Sequence, residues 1–295
     1  MDHVVTAVDR QGSDARTVLV TGASRGLGAA TAAHLAARGW RVYAAARTRS
    51  ALEQLRDAAA ADGHGGQIIP IPLDVSDNAA TSSALAAIPR PLDAVVCCAG
   101  LTAVRAFEDM AAGEFDAIVD VNLRGALAVT RAALPGMRAA GRGHLIYVSS
   151  LAAVLPSPGV SAYAMSKAAL ENWASCLRQE LHPFGVQAAV LRAGTFRTQM
   201  LAPPEQGPHD SAYGAMYGAL GKAAPRVERL GKDPQYFARA VAKLLDTSRP
   251  RLINPTGPGS RVVPLFSALP RAVTEAVMRR AAGSNDPAGC CPRSR

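Results

Sequence analysis

The run TGASRGLG, Thr21 to Gly28, decides how this chain is read. In front of it stands Thr17–Thr21, TVLVT, an apolar run of strand length. Behind it Leu27–Arg38 is rich in alanine and has a helical period. Gly22, Gly26 and Gly28 are spaced GxxxGxG rather than GxGxxG, but the physical consequence is the same. Positions without side chains let the backbone approach a pyrophosphate, and the helix N-terminus offers unpaired N–H groups and a positive dipole end. Gly22, Ser24, Arg25, Gly26, Leu27 and Gly28 are therefore the expected nucleotide cradle, with a bare structural turn as the alternative.

Outward from this turn, strand-length apolar runs alternate with longer helical segments. Strands are expected at Arg41–Ala45, Ile68–Leu73, Ala94–Ala99, His144–Ser149 and Val186–Leu191, the second of these shortened or irregular because of Pro70 and Pro72. Helices are expected at Ser50–Ala61, across Ala112–Ala140 with an interruption near Pro135, up to about His182, and at Pro234–Thr247. Such alternation argues for βαβ units and right-handed crossovers, hence an α/β, doubly wound parallel sheet in three α/β/α layers. Gly194–Lys232 reads as a mobile loop with short helices.

Composition narrows the function classes. The net charge of +9 comes from 32 scattered basic residues, only four of them Lys, which is no nucleic-acid stripe. Five cysteines fall as Cys97–Cys98, Cys176 and Cys290–Cys291, and neither they nor the six His residues have metal-ligand spacing. No apolar run has membrane-spanning length, and the first residues lack the order of a signal peptide. A cytoplasmic protein with reduced thiols, no metal and no nucleic-acid partner is the expectation.

The end of the second strand bears on the choice of nucleotide. Folds that bind NAD in this way place an acid there to hold the ribose hydroxyls. This chain reads VYAAARTRS, with Ala46 at that point and Arg47 next. A guanidinium binds a 2′-phosphate, often bidentately, where a carboxylate would repel it. Arg25 could face the same phosphate. NADP(H) is expected over NAD(H), unless both arginines are merely solvated.

SAYAMSK, residues 161–167, sets Tyr163 and Lys167 four apart, on one face of a helix. An unperturbed phenol has a pKa of ~10, and a nearby ammonium favours its ionised form. Ser150 lies thirteen residues earlier at a strand end, where an open sheet presents groups to its ligand.

Together TGASRGLG, LDVSD at 73–77, CCAG at 97–100, VN at 121–122, SS at 149–150 and YAMSK at 163–167 resemble the short-chain dehydrogenase/reductase family over about residues 15–250. That resemblance implies a Rossmann-like sheet of about seven strands and hydride transfer between a nicotinamide cofactor and a carbonyl or alcohol. It implies Tyr163 as acid and base, Lys167 on the nicotinamide ribose, Ser150 polarising the substrate oxygen, and Asn122 in a water-mediated proton relay. It also implies cofactor contacts from Asp74 and Val75 at the adenine, Ala99, Gly100, Gly194 and Thr198. Asp74 could instead cap the following helix. Ala193 stands where the family usually has proline, and Cys97 and Cys98 where it more often has two asparagines.

Residues 14–262 are expected to form a single Rossmann-like catalytic domain including the substrate loop 195–232. Phe196 and Met200 in that loop favour a hydrophobic or bulky substrate: a ketone, aldehyde, or steroid-, retinoid- or lipid-like alcohol. Segment 263–282 is an expected amphipathic helix, and 283–295 a disordered tail. The C-terminal segment resembles that of retinol and hydroxysteroid dehydrogenases. It reads as a helix packed on the domain, a lid, or a weak peripheral membrane contact through Arg271, Arg279 and Arg280. The family also implies a homodimer or homotetramer. The competing functions are NAD-dependent alcohol oxidation on the same fold and a non-enzymatic nucleotide-sensing scaffold.

Overall fold

Thr17–Thr21 forms β1 with every side chain buried, as its β-branched and apolar residues require of a strand covered on both faces. The computed structural model describes residues 15–63, 67–198, 200 and 210–282. The other strands are β2 (Arg41–Ala46), β3 (Ile68–Pro72), β4 (Ala94–Cys97), β5 (Gly143–Ser150), β6 (Val186–Ala193) and β7 (Ile253–Thr256). All pair in parallel, in the order β3-β2-β1-β4-β5-β6-β7. The order reverses between β1 and β4, and such a switch point opens a ligand crevice outside the strand ends.

The helices are α1 (Gly26–Ala37), α2 (Arg49–Ala61), α3 (Asn78–Ala86), α4 (Glu114–Val119), α5 (Gly125–Ala139), α6 (Ser161–Leu181), α7 (Gly214–Leu230), α8 (Pro234–Leu245), α9 (Val263–Ser267) and α10 (Arg271–Ala281). Leu35 of α1, Leu52 of α2 and Phe237 and Val241 of α8 pack on Val18, Val20 and Ile146 on one face of the sheet. Val129 and Met137 of α5 and Leu170, Ala174 and Leu177 of α6 pack on Leu19, Leu145 and Tyr147 on the other. This is the three-layer α/β/α sheet of the sequence reading.

Several elements differ from expectation. The β4 ladder ends at Cys97, because Cys98 N–H turns back to the Val96 carbonyl at 3.1 Å. The seventh strand lies in the proline-rich stretch after α8, which tolerates Pro255 because β7 is an edge strand. Between β3 and β4 the chain forms α3, started by Asp77, whose carboxylate accepts from Ala80 N–H at 2.9 Å. Asp74 therefore does not cap that helix. The long helix is divided at Asp120–Arg124 by a π-helical turn and runs on through Pro135. The substrate loop contains the 17-residue α7 rather than only short helices. Segment 263–282 is broken in two at Pro270, whose missing N–H cannot continue a helix from α9. The expected tail, 283–295, lies outside the described residues.

Candidate active site

The glycine turn is shaped by close approach. Gly22 has φ +67°, and a side chain there would meet Ala99 N at 2.7 Å. A Cβ on Gly28 would stand 2.2 Å from the Gly22 carbonyl oxygen, so the start of α1 can lie against the end of β1 only without one. Ala99 is drawn to the same place by its N–H, which donates to Thr21 Oγ1 at 3.2 Å. Thr198, remote in sequence, reaches the turn as well: its Cγ2 is 3.4 Å from the position a Gly26 side chain would take. Ser24 and Leu27 are half-buried in this turn, and Arg25 is exposed at the N-terminus of α1. A cradle lined by backbone and closed by Thr198 fits a dinucleotide pyrophosphate.

At the end of β2, Ala46 is buried and Arg47 exposed. Asp74 accepts from Ser76 Oγ at 2.6 Å and from Ser76 N–H at 3.0 Å. These hydrogen bonds, with a smaller contribution from Arg47, hold its carboxyl below the ordinary range. Arg47 and Asp74 thus stand near one another, just past the ends of β2 and β3. Val75 is buried against Gly125, the first residue of α5.

The other half of the site is built by β5, α6 and the π turn. Lys167 is buried, and its Nζ donates to the Val148 carbonyl at 2.8 Å. Burial brings its ammonium down to about 8, against a smaller opposing effect of Cys98 and Cys97. The Nζ lies 5.7 Å from the centre of the Tyr163 ring. Tyr163 is hydrogen-bonded to Ser150 at the end of β5, and Ser150 Oγ also accepts from Ala152 N–H at 3.2 Å. The Tyr–Lys spacing predicts an acidified phenol. In the structure burial wins and pushes Tyr163 above its ordinary value, with the Ser150 hydrogen bond acting the other way.

Asn122, in the π turn, is buried and fully bonded. Its Nδ2 donates to the Leu101 carbonyl at 2.9 Å and to Ser166 Oγ at 3.0 Å, while its Oδ1 accepts from Leu101 N–H at 2.6 Å. Ser166 Oγ in turn donates to the Tyr163 carbonyl at 2.8 Å. Ser166, wholly buried, is the residue the sequence reading missed; the one signal for it was a hydroxyl inside YAMSK three positions after the tyrosine, near it on the helix face. A side chain on Gly100 would lie 3.3 Å from Asn122 Oδ1 and 3.7 Å from both Lys167 Nζ and Met200 Cε. Met200, partly exposed, therefore stands at the mouth of the same crevice.

Two readings change. Phe196, expected at the substrate, is 3% exposed, stacked edge-on against Phe237 at 5.6 Å and pressed on Gly257. It is a core residue. Gly194 has a packing reason of its own, since a Cβ there would sit 1.9 Å from the Pro258 carbonyl oxygen. Cys97 is buried and Cys98 half-buried, and burial pushes both thiols up to about 12, which keeps them protonated. A cavity of about 510 Å³ lies behind α6, between Ala153, Pro156, Ala164, Met165 and Met278, and neither Tyr163 nor Lys167 lines it. Among the described residues no cluster of His, Cys, Asp or Glu has the makings of a metal site.

The family model described as short chain dehydrogenase matches residues 16–208. Over 278 residues the chain is 31% identical to the uncharacterized oxidoreductase YusZ of Bacillus subtilis (strain 168), covering 90% of this chain and 98% of that protein. Among solved structures, a short-chain dehydrogenase from Streptomyces avermitilis has a TM-score of 0.76 at 28% identity, covering 93% of this chain and 100% of the other. The closed form of serine dehydrogenase complexed with NADP+ has a TM-score of 0.70 at 26% identity, covering 82% and 94%.

Proposed function

The chain belongs to the short-chain dehydrogenase/reductase family of oxidoreductases, and on that premise we propose that it interconverts a carbonyl and an alcohol on a hydrophobic or bulky substrate, with NADP(H) as cofactor. The observation that carries this reading is the convergence of Ser150, Tyr163, Lys167 and Asn122 beside the glycine turn.

The dinucleotide, when bound, supplies or accepts a hydride. The chain's own groups do the rest. Ser150 Oγ orients the Tyr163 phenol and, with it, holds the substrate oxygen. In reduction Tyr163 gives its Oη proton to the oxygen as the alcohol forms, and in oxidation the phenolate takes it back. Lys167, fixed by the Val148 carbonyl, places positive charge under the phenol and a donor toward the ribose. Asn122, braced by Ser166 and Leu101, holds the π turn where a proton relay would pass. A phenol raised by burial needs this help, and Lys167 together with the oxidised cofactor's charge lowers it in the loaded site.

Ala46 and Arg47 favour NADP(H), since no carboxylate stands at the end of β2 to repel a 2′-phosphate. The serine dehydrogenase that resembles this chain is itself described in complex with NADP+. An apolar wall supports the substrate class. A side chain on Gly159 would meet Leu220 Cδ1 at 3.0 Å and Met216 Cε and Val104 Cγ1 at 3.6 Å. Tyr217 ties this wall together, accepting from Ala106 N–H at 3.0 Å and donating to Asp109 Oδ2 at 2.8 Å. A panel of ketones, aldehydes, steroids and long-chain alcohols, screened with NADPH, NADH and their oxidised forms by nicotinamide absorbance, tests the reading. Turnover confined to apolar carbonyls or alcohols with the phosphorylated cofactor is expected, and turnover of small charged acids with NADH alone would overturn it.

A further inference from the structure

The last described segment, α9 and α10, touches the body of the protein along a thin line. The inward residues are Thr274 and Met278 of α10 and then Ala282 just after it, one per helical turn. Ala282 packs with Met216 and Tyr217 of α7. Of the apolar residues at helical spacing here, Phe266 is half-buried, but Leu265, Leu269, Val273, Ala276 and Val277 do not face inward. Val262, Leu265, Leu269, Val273 and Val277 are between 45% and 73% exposed. On α10, Val273 and Val277 precede Thr274 and Met278 by one position, so they form a second stripe about 100° round the helix from the buried one.

The charge of the same region is one-sided. Residues 247–282 carry Arg249, Arg251, Arg261, Arg271, Arg279 and Arg280 against a single acid, Glu275. Five of the chain's nine net positive charges therefore lie in this stretch. Glu275 is already engaged by Arg279 at 3.7 Å. Arg261, Arg271 and Arg280 are exposed beside the apolar stripe.

We propose that the face formed by Val262, Leu265, Leu269, Val273 and Val277 is a docking surface for an anionic lipid bilayer. Aliphatic side chains flanked by guanidinium groups match the acyl boundary and the phosphate layer of such a surface in order of depth. A nucleic acid would use the arginines but has no place for five aliphatic side chains. A second copy meeting this face through a two-fold axis would bring two equally net-positive segments together. Neither objection applies to anionic headgroups. The surface adjoins α7 through Ala282, so docking brings the apolar wall of the proposed substrate site toward the lipid. The inference stands on exposure and charge and does not depend on the proposed activity.

Flotation of the full chain with vesicles tests it, using phosphatidylcholine alone and phosphatidylcholine mixed with phosphatidylglycerol. The expected result is flotation with the anionic vesicles only, reversed by high salt. Leu265→Asp with Val277→Asp weakens this at least about tenfold, and Arg271→Glu with Arg280→Glu removes the preference for anionic lipid. All four positions are exposed, so circular dichroism and turnover of a water-soluble substrate stay unchanged. A wild-type chain that ignores anionic vesicles, or a Leu265→Asp/Val277→Asp variant that floats like wild type, overturns the proposal. So does light scattering in which these substitutions dissolve a dimer while the wild type binds no lipid.

Discussion

Lys167 Nζ and the Val148 carbonyl oxygen lie 2.8 Å apart, and this bond joins the two elements that present the proposed chemistry. Val148 precedes Ser150 by two residues on β5, and Lys167 follows Tyr163 by four on α6. Fixing one pair fixes the other, because strand and helix are both rigid over such distances. The site is in this sense a consequence of how α6 packs on β5.

The burial that positions Lys167 has a consequence for stability. Its folded value is about 8 against an ordinary 10.5. Between these two values the unfolded chain keeps a proton at this site that the folded chain has released, so stability rises with pH. Below about 8 both states are protonated and the folded state bears the full penalty. Lys167→Met abolishes this contribution while leaving the upward-shifted Tyr163 common to both proteins. Thermal melts of the two proteins should therefore diverge in favour of wild type between pH 8 and 10.5. Parallel melts would contradict it.

Ser166 connects Asn122 to the turn that carries Tyr163. Ser166→Ala leaves Asn122 its two bonds to Leu101 but orphans part of its amide. We expect kcat to fall about tenfold, in line with the cost of an unsatisfied buried donor, with cofactor affinity unchanged. A variant that loses thermal stability yet keeps kcat would reduce Ser166 to a packing residue.

Arg47 is the proposed discriminator between cofactors. Arg47→Asp should cut kcat/KM for NADPH by about ten- to a hundredfold, through loss of a charged hydrogen bond and gain of repulsion. The same change should improve use of NADH. Steady-state kinetics with both cofactors measures the ratio, and a variant still preferring NADPH would remove Arg47 from the site.

Phe196 belongs to the core, so Phe196→Ala should destabilise by about 3–5 kcal/mol in denaturant unfolding with little effect on substrate KM. The opposite pattern would return it to the substrate wall.

How much of this was legible in the sequence depends on whether the signal was local. The glycine turn, the Tyr–Lys spacing and the buried strands β1, β2, β4, β5 and β6 are short-range patterns, and they were readable. Ser150 and Asn122 were readable as members of a set. Phe196 was misplaced because a lone aromatic in a loop gives no indication that Phe237 and Gly257 will close over it. β7 was hidden by prolines that only an edge position excuses, and α7 by its glycines and Pro225. Helix α10 shows the converse. Its amphipathic character was plain, but Val273 and Val277 face outward, while Thr274 and Met278 face the body.

The central claim is that Tyr163 moves the proton. Tyr163→Phe keeps the ring and its packing and removes only the hydroxyl that meets Ser150. The measurement is steady-state turnover beside NADPH binding, followed by cofactor fluorescence. The account predicts that turnover falls by about 10²–10⁴-fold while NADPH binds as in wild type. A Tyr163→Phe protein that turns over substrate at the wild-type rate would contradict it.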